Sequence, residues 1–182
     1  MPETFLKPKG NYRDLIAFQK TECIYDITYF FAHKFLAVGD RTIDQMIQAA
    51  RSGRQNIAEG CQAVTTSSET EIKLLNVAKA SLHELLLDYE DYLRVRNLNL
   101  WDINSEKSVR TRRICATRND SAYYREAVKV RSDETICNIA ITLIHQADVL
   151  LRNYIDRLQE DFLRRGGIKE QMYQARVSYR RQ

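Results

Sequence analysis

The sequence predicts an all-α protein: an antiparallel four-helix bundle with additional short basic helices and a C-terminal tail. Three observations support this fold class. Apolar residues recur at intervals of three and four over four long stretches, which is the spacing of an amphipathic helix. No stretch shows the apolar–polar alternation of a half-buried strand. Only 2 prolines and 6 glycines occur among 182 residues, which suits long helices joined by short connections.

The first of these helices follows an N-terminal arm. Residues 1–10 contain both prolines and a glycine, and we interpret them as this arm. From Tyr12 the apolar residues repeat at helical spacing as far as Val38, and Gly39 closes the helix. Four charged residues occupy the side opposite to the apolar one: Arg13, Lys20, Glu22 and Asp26.

The second and third helices are predicted to meet at a break rich in serine and threonine. Asp40 is a suitable N-cap for the second helix, which we extend to about Val64. Residues 65–68 (Thr-Thr-Ser-Ser) form the break. Ser67 or Ser68 then caps a third helix of roughly 28 residues.

The fourth long helix is preceded by a basic segment. Residues 105–131 are predicted to form one or two short basic helices, broken near residues 117–120. Ser132 caps the last long helix, and the pair Gly166 and Gly167 ends it. The sequence therefore predicts four long helices with the basic segment inserted before the last one.

These boundaries divide the chain into an arm at 1–10, a bundle at 11–165 and a basic tail at 166–182. The basic helical insertion at about 105–131 belongs to the bundle. Trp101 is expected beneath one end of the bundle. The tail is predicted to be helical, with three apolar anchors: Met172, Tyr173 and Val177.

Positive charge is concentrated in two blocks of the chain. The total net charge is only +4. Residues 105–131 contain eight Lys or Arg side chains against three acidic ones, a net charge of +5, and residues 164–182 also carry +5. The rest of the chain therefore carries −6. Separated basic blocks of this kind attract polyanions or acidic partners.

The two blocks contain the candidate nucleic-acid-binding residues. Single strands are held by aromatic rings that stack on bases and by guanidinium groups that bind phosphates. The candidates are Lys107, Arg110, Arg112, Arg113, Arg118, Tyr123, Tyr124, Arg125, Lys129, Arg176, Arg180 and Arg181. Alternatively, the tyrosines pack on the bundle and the arginines are only solvated. The sequence leaves both interpretations open.

The second helix has polar and small residues on its apolar side: Ser52, Asn56, Glu59 and Gly60. Asn and Gly are both poor residues for a helix interior. We interpret the four as a helix-packing signature, in which Gly60 lets another helix approach closely. Ser52 and Asn56 then bond to the backbone of that helix, to Ser81 or to Glu84.

No catalytic or metal site is predicted. Glu59 could act as a general base, but a site also needs a second titrating group or a metal, and none stands at helical spacing. No Gly-rich phosphate loop or nucleophile–base pair occurs, and no cofactor is expected. The three histidines, His33, His83 and His145, lie on different predicted helices and form no local metal motif.

The cysteines and the hydropathy pattern suggest a cellular location. Cys23, Cys61, Cys115 and Cys137 lie far apart and show no C-x-x-C spacing. We expect four free thiols in a reducing compartment, and hence a cytoplasmic protein. No apolar run reaches the length of a transmembrane helix, so no membrane association is expected.

Three motifs in order resemble the bacterial four-helix-bundle family of rRNA intervening-sequence proteins. This family includes the accessory variability proteins of diversity-generating retroelements. The motifs are residues 12–20 (Tyr-Arg-Asp-Leu-Ile-Ala-Phe-Gln-Lys), residues 56–60 (Asn-Ile-Ala-Glu-Gly) after Ser52, and residues 78–85 (Ala-Lys-Ala-Ser-Leu-His-Glu-Leu). The family often has Ile-Pro after the serine, where this chain has Gly53 and Arg54.

The second half of the chain is similar to a four-helix-bundle suffix domain, through segments between Arg131 and Tyr173 that include residues 138–140 (Asn-Ile-Ala) and 166–170 (Gly-Gly-Ile-Lys-Glu). The resemblance implies a bundle that self-associates, commonly as a ring-like pentamer, and carries positive charge for nucleic acid. In the retroelement branch it implies partnership with a reverse transcriptase and its template RNA.

Together with the resemblance, these observations predict a non-catalytic, oligomeric helical adaptor that binds nucleic acid. RNA is the favoured ligand and DNA stays open, and a reverse transcriptase is the protein partner that the resemblance implies. The alternative is a protein–protein interaction scaffold with no nucleic-acid role, whose basic blocks dock an acidic partner. An enzyme is the third and least supported class.

Overall fold

The computed structural model describes residues 11–63 and 67–181, and the regular elements within these ranges are all helical. A single 3-10 turn at Tyr12–Asp14 precedes seven α-helices. These are α1 (Ile16–Phe35), α2 (Thr42–Ala63), α3 (Ser68–Val95), α4 (Glu106–Thr117), α5 (Ser121–Val130), α6 (Asp133–Arg165) and α7 (Ile168–Arg180). The all-α class is confirmed. The arm at 1–10 and the first residues of the break lie outside the described residues.

Several helix ends follow the capping residues in the sequence. Asp40 Oδ1 accepts a hydrogen bond from the backbone N of Thr42 at 2.9 Å, where α2 begins. Ser67 Oγ accepts from the backbone N of Thr70 at 3.2 Å, so Ser67 caps α3, which has 28 residues. Gly166 ends α6 with a φ of +69°, a conformation that glycine adopts without strain. These three predicted boundaries are confirmed.

The first helix is shorter than the sequence pattern predicts. Leu15 has an extended backbone between the 3-10 turn and α1, and Leu36 is again extended after Phe35. The apolar repeat continues through both positions because their side chains still contact the core. Apolar spacing therefore overestimates the length of this helix.

The four long helices surround the main core. α1 packs against α2 and α6, and α3 packs against the same two helices. α3 and α6 run in opposite directions. Tyr92 Oη donates to Asp133 Oδ2 at 3.0 Å near one end of the pair, and Tyr154 Oη donates to Glu71 Oε1 at 2.8 Å near the other. Phe31 of α1 is fully buried and meets the ring of Tyr92, with centroids 4.9 Å apart.

The polar residues of α2 lie at its contact with α3, in part as predicted. Ser52 Oγ and Ser81 Oγ are 2.8 Å apart, which confirms the expected bond between the two helices. Asn56 instead donates to its own helix, to the carbonyl of Ser52 at 2.9 Å and to its hydroxyl at 3.2 Å. Glu59 is exposed, so the expectation that it takes part in packing is not met.

Two glycines of α2 face α3 at close range. A Cβ on Gly60 would lie 3.4 Å from the carbonyl oxygen of Glu71 and 3.5 Å from Leu74 Cβ, which supports the predicted close approach. A Cβ on Gly53 would lie only 2.8 Å from Leu82 Cδ2. Gly53, which the sequence analysis did not include in the packing signature, therefore makes the tighter of the two contacts.

The four cysteines are free and buried, each in a different helix. Burial raises the pKa of Cys23 to about 12 and that of Cys61 to about 11, and it raises the pKa of Cys115 and Cys137 as well. These thiols therefore stay protonated at neutral pH and are poor nucleophiles.

Metal sites and membrane-spanning helices have structural requirements that the described residues do not meet. Within residues 11–63 and 67–181, no group of three His, Cys, Asp or Glu side chains is arranged to hold a metal ion. No helix in these ranges combines the length and apolar character that crossing a bilayer requires. The cytoplasmic location remains a prediction.

Candidate nucleic-acid interface

The basic segment at 105–131 forms two short helices rather than one. α4 packs on α6, and α5 packs mainly on α1. Ser105 Oγ caps α4 by accepting from the backbone N of Ser108, and Asp120 Oδ1 caps α5 by accepting from that of Ala122. Few of their residues are buried: Cys115, Tyr124 and Val128. Polar contacts with α1 therefore make an important contribution to their positions.

Two lysines of α1 bind the C-terminal ends of these helices. Lys20 is only 1% exposed, and its Nζ donates to the carbonyl oxygen of Cys115 in the last turn of α4. Lys34 Nζ donates to the carbonyl oxygens of Val128, at 2.6 Å, and Lys129, at 2.9 Å, where α5 ends. The last carbonyls of a helix have no partner within it, and a cation there also interacts favourably with the helix dipole.

The burial of Lys20 corrects the expectation from periodicity. The sequence pattern places Lys20 on the polar side of the first helix, but its side chain is buried where it contacts the end of α4. The desolvation that accompanies burial lowers the pKa of Lys20, while the neighbouring thiol groups of Cys115 and Cys23 oppose the shift. The residue that accepts its hydrogen bond is 95 positions away, so no local sequence signal reveals this contact.

Arg125 has a docking role that the charge pattern does not reveal. Its Nη1 lies 2.8 Å from Asp26 Oδ2 of α1, and both side chains are partly buried. This ion pair joins the middle of α5 to the middle of α1. Arg125 is therefore less available to phosphate than the sequence analysis expects.

The two adjacent tyrosines of α5 have different environments. Tyr124 is fully buried, and its hydroxyl donates to the carbonyl of Arg118 at 2.9 Å. Its ring has no accessible face, so the expectation that Tyr124 stacks on bases is not met. Tyr123 is only partly buried, and the guanidinium carbon of Arg118 lies 5.2 Å from its ring centroid. Tyr123 therefore remains a candidate for base stacking.

The cations of the segment also separate into two groups. Lys129 pairs with Glu126 at 2.6 Å, and Arg112 donates to the carbonyl of Ile103 at 2.6 Å. Apart from Arg125, which pairs with Asp26, the other five are exposed and form no ion pair within the described residues: Lys107, Arg110, Arg113, Arg118 and Arg131. These five are the cations best placed to bind phosphate.

A cleft of about 280 Å³ lies between α4, α5 and the start of α6. We call it the α4–α6 cleft. It is lined by Trp101, Lys107, Arg110, Thr111, Ile114, Cys115, Tyr123, Tyr124, Ala127, Arg131, Thr135 and Ile139. The sequence analysis did not assign Trp101, Arg131 or Thr135 to the site, because nothing in local spacing connects them with α4 and α5.

Trp101 is held in the cleft by two residues of α6. Its backbone N donates to Asn138 Oδ1 at 2.9 Å, and its indole Nε1 donates to Glu134 Oε1 at 3.3 Å. Glu134 also accepts from the backbone N of Asn99 at 3.0 Å, and these hydrogen bonds lower the pKa of its carboxyl group. Lys107 Nζ lies 5.7 Å from the Trp101 ring. The tryptophan is thus fixed in orientation beside a cation.

The second basic block lies on α7. Arg176, Arg180 and Arg181 are exposed there, as predicted. α7 buries none of its residues and makes no extensive contact with another helix in the described ranges. Met172 and Tyr173 are 47% and 71% exposed, so they do not anchor the tail as expected. Within the described residues, this block does not come together with α4 and α5.

A second, larger cleft of about 720 Å³ lies on the other side of α4, between α1 and α6. We call it the apolar cleft, because most of its lining surface is apolar. Four of them are at least 44% exposed: Ile16, Leu100, Ile103 and Val149. Exposed apolar surface of this kind is typical of sites that bind proteins or apolar ligands.

Comparison with models of known families, with curated proteins and with solved structures finds no match to this chain.

Proposed function

We propose that this protein is a non-catalytic adaptor that binds RNA through the exposed surface of α4 and α5. In this proposal the four long helices form an antiparallel bundle, which carries the two basic helices on its α1 and α6 side. The opposite directions of α3 and α6 support this arrangement, as does the contact of α1 and α3 with the same two helices.

One observation carries the functional proposal. Five exposed cations of the segment at 105–131 form no ion pair within the described residues. Three of them, Lys107, Arg110 and Arg131, line the cleft together with Tyr123 and Trp101. A solvated helix face normally mixes charges of both signs, which pair along the helix. An excess of one sign beside aromatic rings is instead the arrangement that binds single-stranded nucleic acid.

The family resemblance supports the oligomeric part of the proposal. In that family, self-association as a ring-like pentamer is common, and the retroelement branch works with a reverse transcriptase. A ring would repeat the basic surface around its circumference, so that its electrostatic field would exceed that of one protomer. We therefore propose a homo-oligomer, with a reverse transcriptase as the protein partner.

The salt dependence of RNA binding tests the proposal. If the five cations each contact one phosphate, the slope of log affinity against log salt is about −3.5 on a single strand. A fourfold increase in salt should then weaken binding about 100-fold. Fluorescence anisotropy of a labelled RNA, measured over a salt series, gives both quantities.

A matched pair of variants shows where the RNA binds. Changing Arg110, Arg113 and Arg118 to Glu should nearly abolish binding, because it replaces three phosphate contacts with repulsion. Three exposed arginines elsewhere provide the control, since their reversal to Glu changes the net charge equally: Arg51, Arg152 and Arg157. Binding that is insensitive to salt, or equally weak in both triple variants, would contradict the proposal.

The apolar cleft favours a second candidate function, a protein-binding scaffold without a nucleic-acid role. Its test is a pull-down from the native cells after nuclease treatment. A single protein that is retained by the wild type and lost with Ile103→Glu would favour the scaffold. Ile103 is 66% exposed, so this change should leave the fold intact.

A further inference from the structure

The α4–α6 cleft has the features of a site for one unpaired base. It is a concave site close to the lower size limit of small-molecule sites, which is about 300 Å³. Its lining is about equally polar and apolar, and Ile114, Ala127 and Ile139 are among the apolar residues. Two hydroxyl groups, those of Thr111 and Thr135, add polar contacts. A flat aromatic group whose edge carries hydrogen-bonding atoms suits a lining of this mixed kind.

We propose that the α4–α6 cleft binds a single unpaired nucleotide of an RNA strand, with its base against Tyr123 and Trp101 and its phosphates at Lys107, Arg110 and Arg131. The proposal rests on the proposed RNA-binding function and adds to it a preference for single strands over duplex.

The two aromatic rings enter the cleft from different elements and are both held in place. The ring of Tyr124 packs edge-on against Tyr123, with centroids 5.2 Å apart and planes at 89°. The indole of Trp101 is held by its hydrogen bond to Glu134. Because neither ring must be immobilised when a base stacks on it, stacking loses little conformational entropy.

The three cations come from both helices that border the cleft. Lys107 and Arg110 are three residues apart on α4 and therefore lie on one face of it. Arg131 directly follows α5. All three are exposed, and none has an ion-pair partner in the part of the chain that the model describes. Phosphates on either side of a bound base would find a cation close by.

A duplex cannot use this site in the same way. Its bases are stacked inside the helix, and a cleft of about 280 Å³ does not admit a paired backbone. A duplex would contact the exposed cations alone, whereas a single strand gains stacking as well. Stacking of one base strengthens binding roughly 5- to 150-fold.

The experiment compares one short RNA as a single strand and after annealing to its complement. Both forms are titrated against the full chain by fluorescence anisotropy at one salt concentration. Tyr123→Leu should weaken single-strand binding at least 5-fold and leave duplex binding unchanged. Tyr123→Phe, the matched control, keeps the ring and should bind both forms like the wild type.

Intrinsic fluorescence provides a second measurement that does not depend on a variant. Trp101 is the only tryptophan of the chain and lines both the α4–α6 cleft and the apolar cleft, so its emission reports on ligands bound in either. The single strand should change this emission and the duplex should not. This comparison remains decisive if Tyr123→Leu fails to fold.

The possible results distinguish the cleft proposal from the proposal that the protein binds RNA through α4 and α5. Equal, salt-dependent binding of both RNA forms, with equal effects on Trp101 emission, would overturn the cleft proposal and leave RNA binding in place. No binding of either form would overturn both. A Tyr123→Leu variant that folds and loses affinity equally for both forms would also contradict the cleft proposal.

Discussion

The same substitution at two glycines of α2 should have opposite effects on stability. Gly53 and Gly60 lie seven residues apart in one helix and are both buried against α3. Replacing either with Ala should improve helix propensity by about 1 kcal/mol. The two sites differ only in the space that α3 leaves for the added methyl group.

The magnitudes follow from the distances. At Gly60 the new Cβ would lie 3.4 to 3.6 Å from its nearest neighbours, which is ordinary contact, so Gly60→Ala should stabilise the fold by up to about 1 kcal/mol. At Gly53 it would lie 2.8 Å from Leu82 Cδ2, and Leu82 is only 1% exposed. Overpacking of this kind costs about 1–3 kcal/mol, so Gly53→Ala should be neutral or destabilising by up to about 2 kcal/mol.

Urea unfolding followed by far-UV circular dichroism measures both variants. The free energies of unfolding should differ by about 2 kcal/mol, or roughly 4–8 °C in Tm for a chain of this length. Leu82→Ala provides an internal control, because it removes the atoms that the new methyl group meets. In that background Gly53→Ala should become stabilising. If Gly53→Ala is as stable as Gly60→Ala in both backgrounds, the close contact of α2 with α3 at Gly53 is refuted.

Three further predictions concern contacts that position the interface and the core. Lys34→Met should accelerate amide hydrogen exchange in the last turn of α5, with the long helices unchanged, because it leaves two carbonyls without their cation. Glu134→Gln should alter Trp101 emission and cost about 1 kcal/mol, since one amide oxygen cannot replace both carboxylate oxygens. The third concerns alkaline pH. The pKa of Cys23 is raised on folding, so its contribution to stability is fully present below about pH 8.5 and is lost as the pH rises towards 12. Cys23→Ala should therefore reduce the decline in unfolding free energy between these values, as measured by urea unfolding at several pH values. If Cys23→Ala leaves the dependence of unfolding free energy on pH unchanged, the Cys23 thiol is not buried.

Features that depend on local spacing could be predicted from the sequence. The length of α3 follows from its apolar repeat, and its start follows from Ser67. The bond between Ser52 and Ser81 could be anticipated because both are small polar residues on the apolar sides of consecutive helices. Neighbouring helices joined by a short link pack together, so their facing residues can be matched in advance.

Features that depend on distant packing could not be predicted. Tyr123 and Tyr124 differ by about 100° around the helix, and only the position of α5 against α1 decides which of them is buried. Lys20 has the periodicity of a solvent-exposed residue, yet it contacts a helix that begins more than 80 residues later. Each case requires the docking of α4 and α5, which their own sequences do not specify.

The buried thiols have a practical consequence for following motion in this protein. α1, α2, α4 and α6 each contain one cysteine, and a thiol reagent can modify it only after the surrounding structure opens. Cys115 lies on the buried face of α4, next to Lys20, so its labelling rate reports on the detachment of that helix. Cys61 lies instead in α2, near its contact with α3. The native cysteines thus allow opening of the interface to be timed separately from opening of the core, without an introduced label.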